Sequence, residues 1–375
     1  MSGSGVSFRD HGAAPPRAPT LEERVRAEAR KLGFDAVGIA RADVSLDRDM
    51  ARYEAFIAAG MQGEMTFLAR HGDARARLDR ASILPGARSV VCLARRYERP
   101  TQDEGRDSAT AKGIARYARG RDYHGFLRNR IRRLATFLRS LGTPEEPVRA
   151  RPLCDEEPVL ERAWAARAGL GFVGKNGMVI VPGGGSMMLL GEVVTTLVLD
   201  PGEPIAERCG SCTRCLDACP TGAFAAPFVL DPRLCISYLT IELKTPIPVE
   251  LREAVGTHLF GCDDCQTACP FNAGTNARAP LPRDDGDPFV PLDRWSRVGI
   301  EALLTLDDVA WRALSEGTPL KRAGRAGLAR NAAMVLGNRG DPAALPALRL
   351  AATQHADAIV RDAAVWAVTR LETRT

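Results

Sequence analysis

The sequence predicts an α+β protein in three parts: a front domain of α/β-type character, a cysteine-rich module and an α-helical C-terminal unit. Three observations support this division. Helix and strand patterns of apolar residues are mixed over the first 200 residues, eight of the ten cysteines fall between Cys209 and Cys269, and only helical patterns occur beyond about residue 300. We expect domains at 20–200, 201–290 and 291–375, after a Pro- and Gly-rich arm, 1–19, that is predicted to be disordered.

The front domain begins with a predicted helix that Thr20 caps and Gly33 closes. A short, continuous apolar run at 89–94 predicts a buried strand. The apolar runs at 178–181 and 187–199 are separated by a triple glycine, which predicts a hairpin between them. Further elements are predicted as a strand at 34–40, a helix at 48–59, a basic amphipathic helix at 126–141 and a helix at 158–169.

Composition places the chain among ordinary globular proteins, with 45% hydrophobic and 26% charged residues. No apolar run is long enough to cross a membrane, and the first twenty residues lack the apolar core of a signal peptide, so we expect a cytoplasmic protein without a membrane partner. In a reducing cytoplasm, clustered cysteines indicate metal binding rather than disulfides. The net charge of +5 is matched by the excess of nine basic over four acidic residues within 321–375.

The cysteine-rich module contains two runs that both end in Cys-Pro. The first is Cys-x2-Cys-x2-Cys-x3-Cys-Pro and the second is Cys-x2-Cys-x3-Cys-Pro, with Cys235 as its displaced first member. This pattern predicts two [4Fe–4S] clusters in which the last cysteine of each run ligates the other cluster. One predicted set is Cys209, Cys212, Cys215 and Cys269, and the other is Cys219, Cys235, Cys262 and Cys265. Two four-thiolate zinc sites are the alternative, but zinc does not require the third close cysteine.

The C-terminal unit contains two similar helical segments, at 330–336 and 359–368, about 31 residues apart. This spacing resembles a HEAT-type helical repeat. Two copies cannot form a free-standing solenoid, so we expect them to pack against the preceding domain. Arg322, Arg325 and Arg330 near these helices favour a phosphate-binding surface. The alternative is a helical cap without a binding role.

A second chemically dense stretch is the acidic segment Asp155-Glu156-Glu157, which precedes a predicted helix. On residue chemistry alone, these carboxylates are expected to cap the helix N-terminus. The 26 residues between Cys235 and Cys262 are a second open question, because they form either an inert loop or the wall of a pocket beside a cluster.

Several motifs of the chain resemble those of the epoxyqueuosine reductase family of cobalamin-dependent iron–sulfur enzymes. They are Arg116-Tyr-Ala-Arg-Gly-Arg-Asp-Tyr-His124, Asp155-x2-Pro-Val-Leu-Glu-Arg162, Ala165-Ala-Arg-Ala-Gly-Leu-Gly171, Gly174-Lys-Asn176, Cys235-Ile-Ser-Tyr-Leu-Thr-Ile-Glu242 and Gly261-Cys-Asp-Asp-Cys-Gln266. The resemblance implies that 20–200 binds cobalamin, as in reductive dehalogenases. It also implies that 201–290 is a ferredoxin-like module beside the corrin, and that 291–375 is a HEAT-like unit that holds tRNA.

The implied reaction reduces epoxyqueuosine to queuosine at the wobble position of tRNA, with two electrons and two protons. The clusters would generate cob(I)alamin, and Asp155 would donate a proton after burial against the corrin has raised its pKa. The absence of an Asp-x-His-x-x-Gly signature fits a base-off cobalamin without a protein histidine on cobalt. Further implied cofactor contacts are Asn176, Arg77, Tyr117 and Ser237.

The implied partners are a tRNA that carries epoxyqueuosine and an electron donor such as a flavodoxin or a ferredoxin, and we expect a monomer. Two other functions fit parts of the pattern. A reductive dehalogenase shares the front domain and the clusters but usually carries an export signal and lacks a basic helical tail. A two-cluster electron-transfer protein would need no catalytic cofactor.

Overall fold

The computed structural model describes residues 17–98, 108–155, 157–273 and 286–373. Most of the predicted N-terminal arm therefore lies outside the described residues. Among the described residues, no helix combines the length and apolar character that a membrane crossing requires.

The strands, in chain order, are β1 (Ala36–Arg41), β2 (Ser89–Arg96), β3 (Ala150–Leu153), β4 (Phe172–Val173), β5 (Val179–Ile180), β6 (Met188–Thr195), β7 (Phe224–Ala226) and β8 (Val229–Leu230). The helices of the front domain are α1 (Leu21–Lys31), α2 (Asp47–Ala58), α3 (Gly72–Ala76), α4 (Ala109–Lys112), α5 (Tyr123–Arg139) and α6 (Glu161–Arg167). Those that follow are α7 (Arg214–Asp217), α8 (Val249–Arg252), α9 (Asp264–Thr267), α10 (Arg294–Arg297), α11 (Asp308–Ser315), α12 (Gly324–Arg339), α13 (Leu345–Gln354) and α14 (Ala358–Glu372).

The front domain is built on a four-stranded sheet in the order β1-β2-β6-β3. All of its pairings are antiparallel, and the edge strand β3 pairs with β6 so that Leu153 lies opposite Glu192. The domain is therefore α+β, because an α/β-type domain would require parallel strands. The predicted hairpin turn is present at the triple glycine, where Val181 and Gly185 form an antiparallel bridge. The two runs do not pair beyond this turn, because β5 pairs with β4 and β6 joins the main sheet.

Both faces of this sheet are covered, which explains why β2 has a continuous apolar sequence. Val91 and Leu93 join the core beneath α1 and α5. Val90 and Cys92 face the opposite side, in the core that includes Trp164 of α6. Because side chains alternate along a strand, a strand buried on both faces requires apolar residues at every position.

The N-terminal boundary of α1 follows from local chemistry. The Thr20 side chain accepts from the Glu23 backbone, and the Glu23 side chain accepts from the Thr20 backbone, which is a complete capping box. Gly33, just after the helix, has φ +90° and adopts the left-handed conformation that glycine tolerates.

The C-terminal unit packs directly on the insertion between Cys235 and Cys262, in one core with residues such as Leu239 and Phe260. α12 is buried along most of its length and contacts α14, which in turn contacts α13. The two similar segments of the sequence correspond to α12 and α14. The two helices approach closely at Gly337, where an added Cβ would lie only 2.8 Å from the Ala367 Cβ.

The insertion itself contains a π-helical turn at Tyr238–Glu242. Arg330 of α12 donates hydrogen bonds to two backbone carbonyl oxygens of the insertion, those of Leu239 (2.6 Å) and Leu243 (2.9 Å). Arg330 is 1% exposed. The predicted contact of Arg330 with RNA phosphate is therefore wrong, because its buried guanidinium binds backbone carbonyl groups and connects α12 to the insertion.

Candidate active site

Four cysteines from the two Cys-Pro runs line one small cavity: Cys209, Cys212, Cys215 and Cys269. Lys175, from the turn between β4 and β5, holds the first run in place by donating to the carbonyl oxygens of Gly210 (2.6 Å) and Cys212 (3.0 Å). Four thiols around one cavity fit the full ligand set of a [4Fe–4S] cluster. This set is the first one predicted from the spacing.

Cys265 of the second predicted set lies near Cys215 of this cavity. Burial first, and then the neighbouring Cys235, Cys215 and Cys219, raise the pKa of Cys265 to about 12. Cys215 belongs to the first set, so the two sets are neighbours and an electron could pass between them. Such buried thiols become stable thiolates when a metal binds them.

Cys262 is held by residues outside the cysteine pattern. Its backbone N–H donates to the Ser237 hydroxyl at 3.1 Å, so the two ends of the insertion meet at Cys262. The His258 ring, the Cys262 thiol and an Asp264 carboxylate oxygen lie within 4.8 Å of one another. The His258 Nε2 lies 3.3 Å from Asp264 Oδ1.

Asp155 follows the end of β3 with a left-handed backbone, φ 59°, and its side chain is about half exposed. His124 Nε2 lies 2.7 Å from Asp155 Oδ2, and His124 Nδ1 lies 2.6 Å from Asp122 Oδ1. The Tyr123 hydroxyl also donates to Asp155, at 3.2 Å. These three residues lie at the start of α5, so the helix N-terminus and the end of β3 form one polar pocket.

The charge state of this pocket is set by the hydrogen bonds of His124. The His124 hydrogen bond lowers the pKa of Asp155 by more than burial raises it. Conversely, the hydrogen bonds that the His124 ring makes to Asp122 first, and to Asp155 second, raise the pKa of His124 to about 10. In the protein without a corrin these shifts favour an ionised Asp155 beside a protonated His124, and a rise of the Asp155 pKa on burial against the corrin stays a prediction.

The described residues of the acidic segment, Asp155 and Glu157, do not cap α6 as expected from residue chemistry. Leu160 occupies the N-cap and makes no side-chain cap, and Glu157 and Glu161 bond to the loop backbone instead. Glu161 Oε1 accepts from the Asp155 backbone N–H at 3.1 Å, and Glu157 Oε2 accepts from Cys154 N–H at 2.8 Å. These two bonds hold the loop in the conformation that presents Asp155.

A buried glutamate lies behind this loop. Glu192 of β6 is 1% exposed, and neither of its carboxylate oxygens has a hydrogen-bond partner in the described part of the chain. Burial, followed by the nearby Glu161 and Glu157, raises its pKa well above the ordinary value. Burial therefore favours the neutral form of the Glu192 carboxyl.

Tyr117 and Arg322 border the same pocket from two other parts of the chain. The Tyr117 ring packs edge-on against Tyr123, with centroids 5.9 Å apart, and burial raises its pKa. Arg322 pairs with Glu242 at 2.9 Å, and its charge helps lower the pKa of Asp155. Arg322, predicted as a phosphate contact, thus lies close enough to Asp155 for its charge to act on the candidate catalytic carboxylate.

The other predicted residues lie apart from Asp155. Asn176 is buried beside the first thiol set, where its amide donates to Cys265 O at 3.5 Å and accepts from Met178 N–H. Arg77 pairs with Asp79 at 2.6 Å, and the structure shows no contact between it and the Asp155 pocket in the described ranges. Arg325 donates to Leu306 O and pairs with Asp308 at 3.1 Å.

Sequence reasoning missed the roles of Asp122, Tyr123 and His124. They occur in the motif that ends at His124, but their spacing is ordinary for a helix N-terminus. Only the approach of β3 to α5 brings them to Asp155.

Two family descriptions match the chain. "Epoxyqueuosine reductase QueG, DUF1730" matches residues 77–156, and "4Fe-4S double cluster binding domain" matches residues 208–272. The epoxyqueuosine reductase of Gloeobacter violaceus is 41% identical over 86% of this chain and 98% of its own length. That of Escherichia coli K12 is 34% identical over 93% of this chain and 89% of its own length.

Solved structures show the same relationship. An epoxyqueuosine reductase in complex with an epoxyqueuosine-modified stem loop of tRNA-Tyr has a TM-score of 0.82 and 31% identity, covering 94% of this chain and 90% of that one. An epoxyqueuosine reductase from Bacillus subtilis, with its aspartate-bearing catalytic loop swung out of the active site, has a TM-score of 0.81 at the same identity and coverage.

Proposed function

The chain belongs to the epoxyqueuosine reductase family and reduces epoxyqueuosine to queuosine in tRNA, and we propose that Asp155 donates a proton in this reaction. One observation carries the proposal: Asp155 is half exposed at the end of β3 and is linked through His124 to Asp122. The Bacillus subtilis relative has a catalytic loop that carries an aspartate, which supports the same role for the Asp155 loop.

The stoichiometry of the reaction sets what the site must supply. Conversion of an epoxide to an alkene breaks both C–O bonds, consumes two electrons and two protons, and releases one water. Negative charge develops on the oxygen when the first C–O bond breaks, so a proton donor within hydrogen-bond reach lowers the barrier. The second proton completes the departing water.

The pair of Asp155 and His124 can deliver both protons in turn. In the protein alone, the proton lies on the imidazolium, 2.7 Å from the carboxylate. When the substrate base covers the pocket, exclusion of water favours the neutral form of the pair and moves the proton onto Asp155. After the first transfer, the partly exposed His124 takes the second proton from solvent and passes it to Asp155, while Asp122 keeps the ring oriented.

The clusters are proposed to supply the electrons. The matched double-cluster description supports two [4Fe–4S] sites, and the grouping of thiols supports the two predicted ligand sets. Because Cys265 adjoins Cys215, electrons that enter at either set can reach the other. Cys262, bound through its backbone to Ser237, lies where the second set meets the insertion.

We propose base-off cobalamin as the cofactor between the clusters and the substrate. When bound, cobalamin supplies a low-valent cobalt that acts as a strong nucleophile toward the epoxide. His124 would not ligate the cobalt of such a cofactor, because both of its ring nitrogens are engaged by carboxylates. Tyr117 and Ser237 are the better supported of the proposed contacts, since they flank Asp155 and Cys262, respectively.

Asn176 and Arg77 remain weaker proposals for cofactor contact. The Asn176 amide is already bonded within the protein, and its position beside the first thiol set supports a role in shaping the cluster loops. Arg77 is neutralised by Asp79.

The C-terminal unit, 291–375, is proposed to be a HEAT-like module that holds the anticodon arm. Arg322 and Arg325 are the proposed phosphate contacts, and Arg322 also lies where a flipped base would enter. The domains at 20–200 and 201–290 are proposed for cobalamin and the clusters. A flavodoxin or ferredoxin is the proposed electron donor, and the proposed state is a monomer.

The test is Asp155→Asn in the protein loaded with iron–sulfur clusters and cobalamin. We expect cluster and corrin absorption to remain while turnover of epoxyqueuosine tRNA falls at least about 100-fold, because the proton donor is lost. Asp293→Asn, at an aspartate that is 88% exposed, is the matched control and should be fully active. Undiminished turnover by Asp155→Asn would contradict the assignment, and a halogenated phenol serves as the substrate control for dehalogenation.

A further inference from the structure

One flank of α5 carries arginines that the reaction as described does not use. The helix starts in the candidate active site, where His124 in its first turn contacts Asp155. An α-helix turns about 100° per residue, so three arginines fall within a sector of about 40° next to His124. These are Arg128, Arg132 and Arg139.

The position of this stripe is fixed by its neighbours. Arg139 donates to the carbonyl oxygen of Ala150, so the stripe follows β3, the outer strand of the sheet. The opposite flank differs, because the Arg130 guanidinium lies 3.4 Å from the centroid of the Phe126 ring and packs against protein. The stripe thus runs along a sheet edge whose near end is the Asp155 pocket.

The stripe also has the charge and exposure of a binding surface. α5 contains five arginines and no acidic residue. Arg132 and Arg139 are exposed, and neither forms an ion pair with a carboxylate in the parts of the chain that the structure describes. With a rise of about 1.5 Å per residue, they lie about 12 Å and 22 Å from His124 along the helix.

We propose that this arginine stripe binds phosphates of the RNA strand that leads away from the reacting nucleotide. The proposal rests on the proposed function, because a base at Asp155 must bring its own backbone past the first turn of α5. Arginine matches phosphate in charge and geometry, and such contacts hold register without reading sequence. The stripe lies on the front domain, so it would grip the RNA independently of Arg322 and Arg325 in the C-terminal unit.

The test compares Arg132→Gln/Arg139→Gln with wild type in binding a fluorescently labelled anticodon stem loop of tRNA-Tyr. We expect Kd to rise about tenfold at 0.15 M salt, and the slope of log Kd against log salt to fall by about 1 to 2, as two phosphate contacts would require. Arg132→Lys/Arg139→Lys keeps both charges and should bind nearly as well as wild type. Wild-type binding by this lysine variant would show that the glutamine variant binds weakly because it lost charge and not because its helix is disturbed.

The matched control is Arg24→Gln/Arg30→Gln, which removes the same charge from exposed positions of α1. Gly33, directly after α1, lies near Arg130, so α1 adjoins the flank of α5 away from the stripe. Unchanged binding by the stripe variant would overturn the proposal, and so would an equal loss in both double variants, which would show only net charge. Wild-type protein that fails to turn over epoxyqueuosine tRNA would instead overturn the proposed function.

Discussion

Replacement of His124 by glutamine tests the proton pair at the centre of the proposed reaction. Glutamine can still donate a hydrogen bond to Asp155, but it cannot hold a proton. The variant therefore leaves the loop supported while removing the group on which the shared proton resides. Asp155 also loses the largest cause of its lowered pKa, so its pKa must rise relative to wild type.

The magnitude follows from the pKa of His124, which is raised from 6.5 to about 10. Each pKa unit corresponds to about 1.4 kcal/mol, so the full shift would represent about 5 kcal/mol. The side chain is 29% exposed, and solvent screening reduces the contribution of the ion pairs to stability, to about 2 kcal/mol. A raised histidine pKa stabilises the folded protein fully below pH 6.5, and the contribution disappears as pH rises to about 10.

The assay is single-turnover reduction of epoxyqueuosine tRNA by pre-reduced protein between pH 5 and pH 10. Wild type should keep its rate until the pH approaches about 10, where His124 loses its proton. His124→Gln should be roughly 100-fold slower at pH 7 and should recover as pH falls, because Asp155 must then take its proton from water. Thermal unfolding should show that the variant lacks the loss of stability that wild type undergoes between pH 6.5 and pH 10.

His71→Asn is the matched control, because His71 is exposed and its left-handed backbone, φ 58°, suits asparagine. It should keep the wild-type rate and pH profile. The reasoning would be refuted if His124→Gln had the wild-type rate at pH 7 and its rate did not change with pH, since the proton would then come from another group.

Two further outcomes are expected. Arg330→Met should lower the free energy of unfolding by about 3 to 5 kcal/mol, because the carbonyls of Leu239 and Leu243 lose a buried, charged donor. Denaturant titrations measure this change, and a loss below about 1 kcal/mol would contradict the structural role of Arg330. Cys235→Ser should reduce the bound iron from about eight to about four atoms per chain while the first thiol set keeps its cluster, and an unchanged iron content would exclude Cys235 as a ligand.

The cysteine runs show how far local spacing reaches. Close cysteines such as Cys209 and Cys212 lie on one short segment, and sequence separation alone limits their distance. The spacing also led to Cys269 as the fourth member of the first set, and the structure brings it to the same cavity. The capping box at Thr20 is equally local, because all of its groups lie within one turn.

Charge and burial were less accessible from the sequence. Arg322, Arg325 and Arg330 read as one basic cluster because they are close in the chain. In the fold, Arg330 points into the core, Arg322 lies beside Asp155, and Arg325 pairs with Asp308. A charge in the sequence carries no information about which carbonyl or carboxylate will face it, since the partners lie up to about ninety residues away.

By itself, the sequence determined the mixed helix and strand content, the cluster-binding pattern and the membership of a family, because each depends on residue types at short spacing. The tertiary structure alone decided that the front sheet is antiparallel, that the 235–262 insertion is anchored by α12, and that Asp155 meets His124, whose pKa is raised. Each of these depends on groups that meet only when distant segments pack. A pKa is set by burial and by the nearest charge, and both are properties of the folded chain.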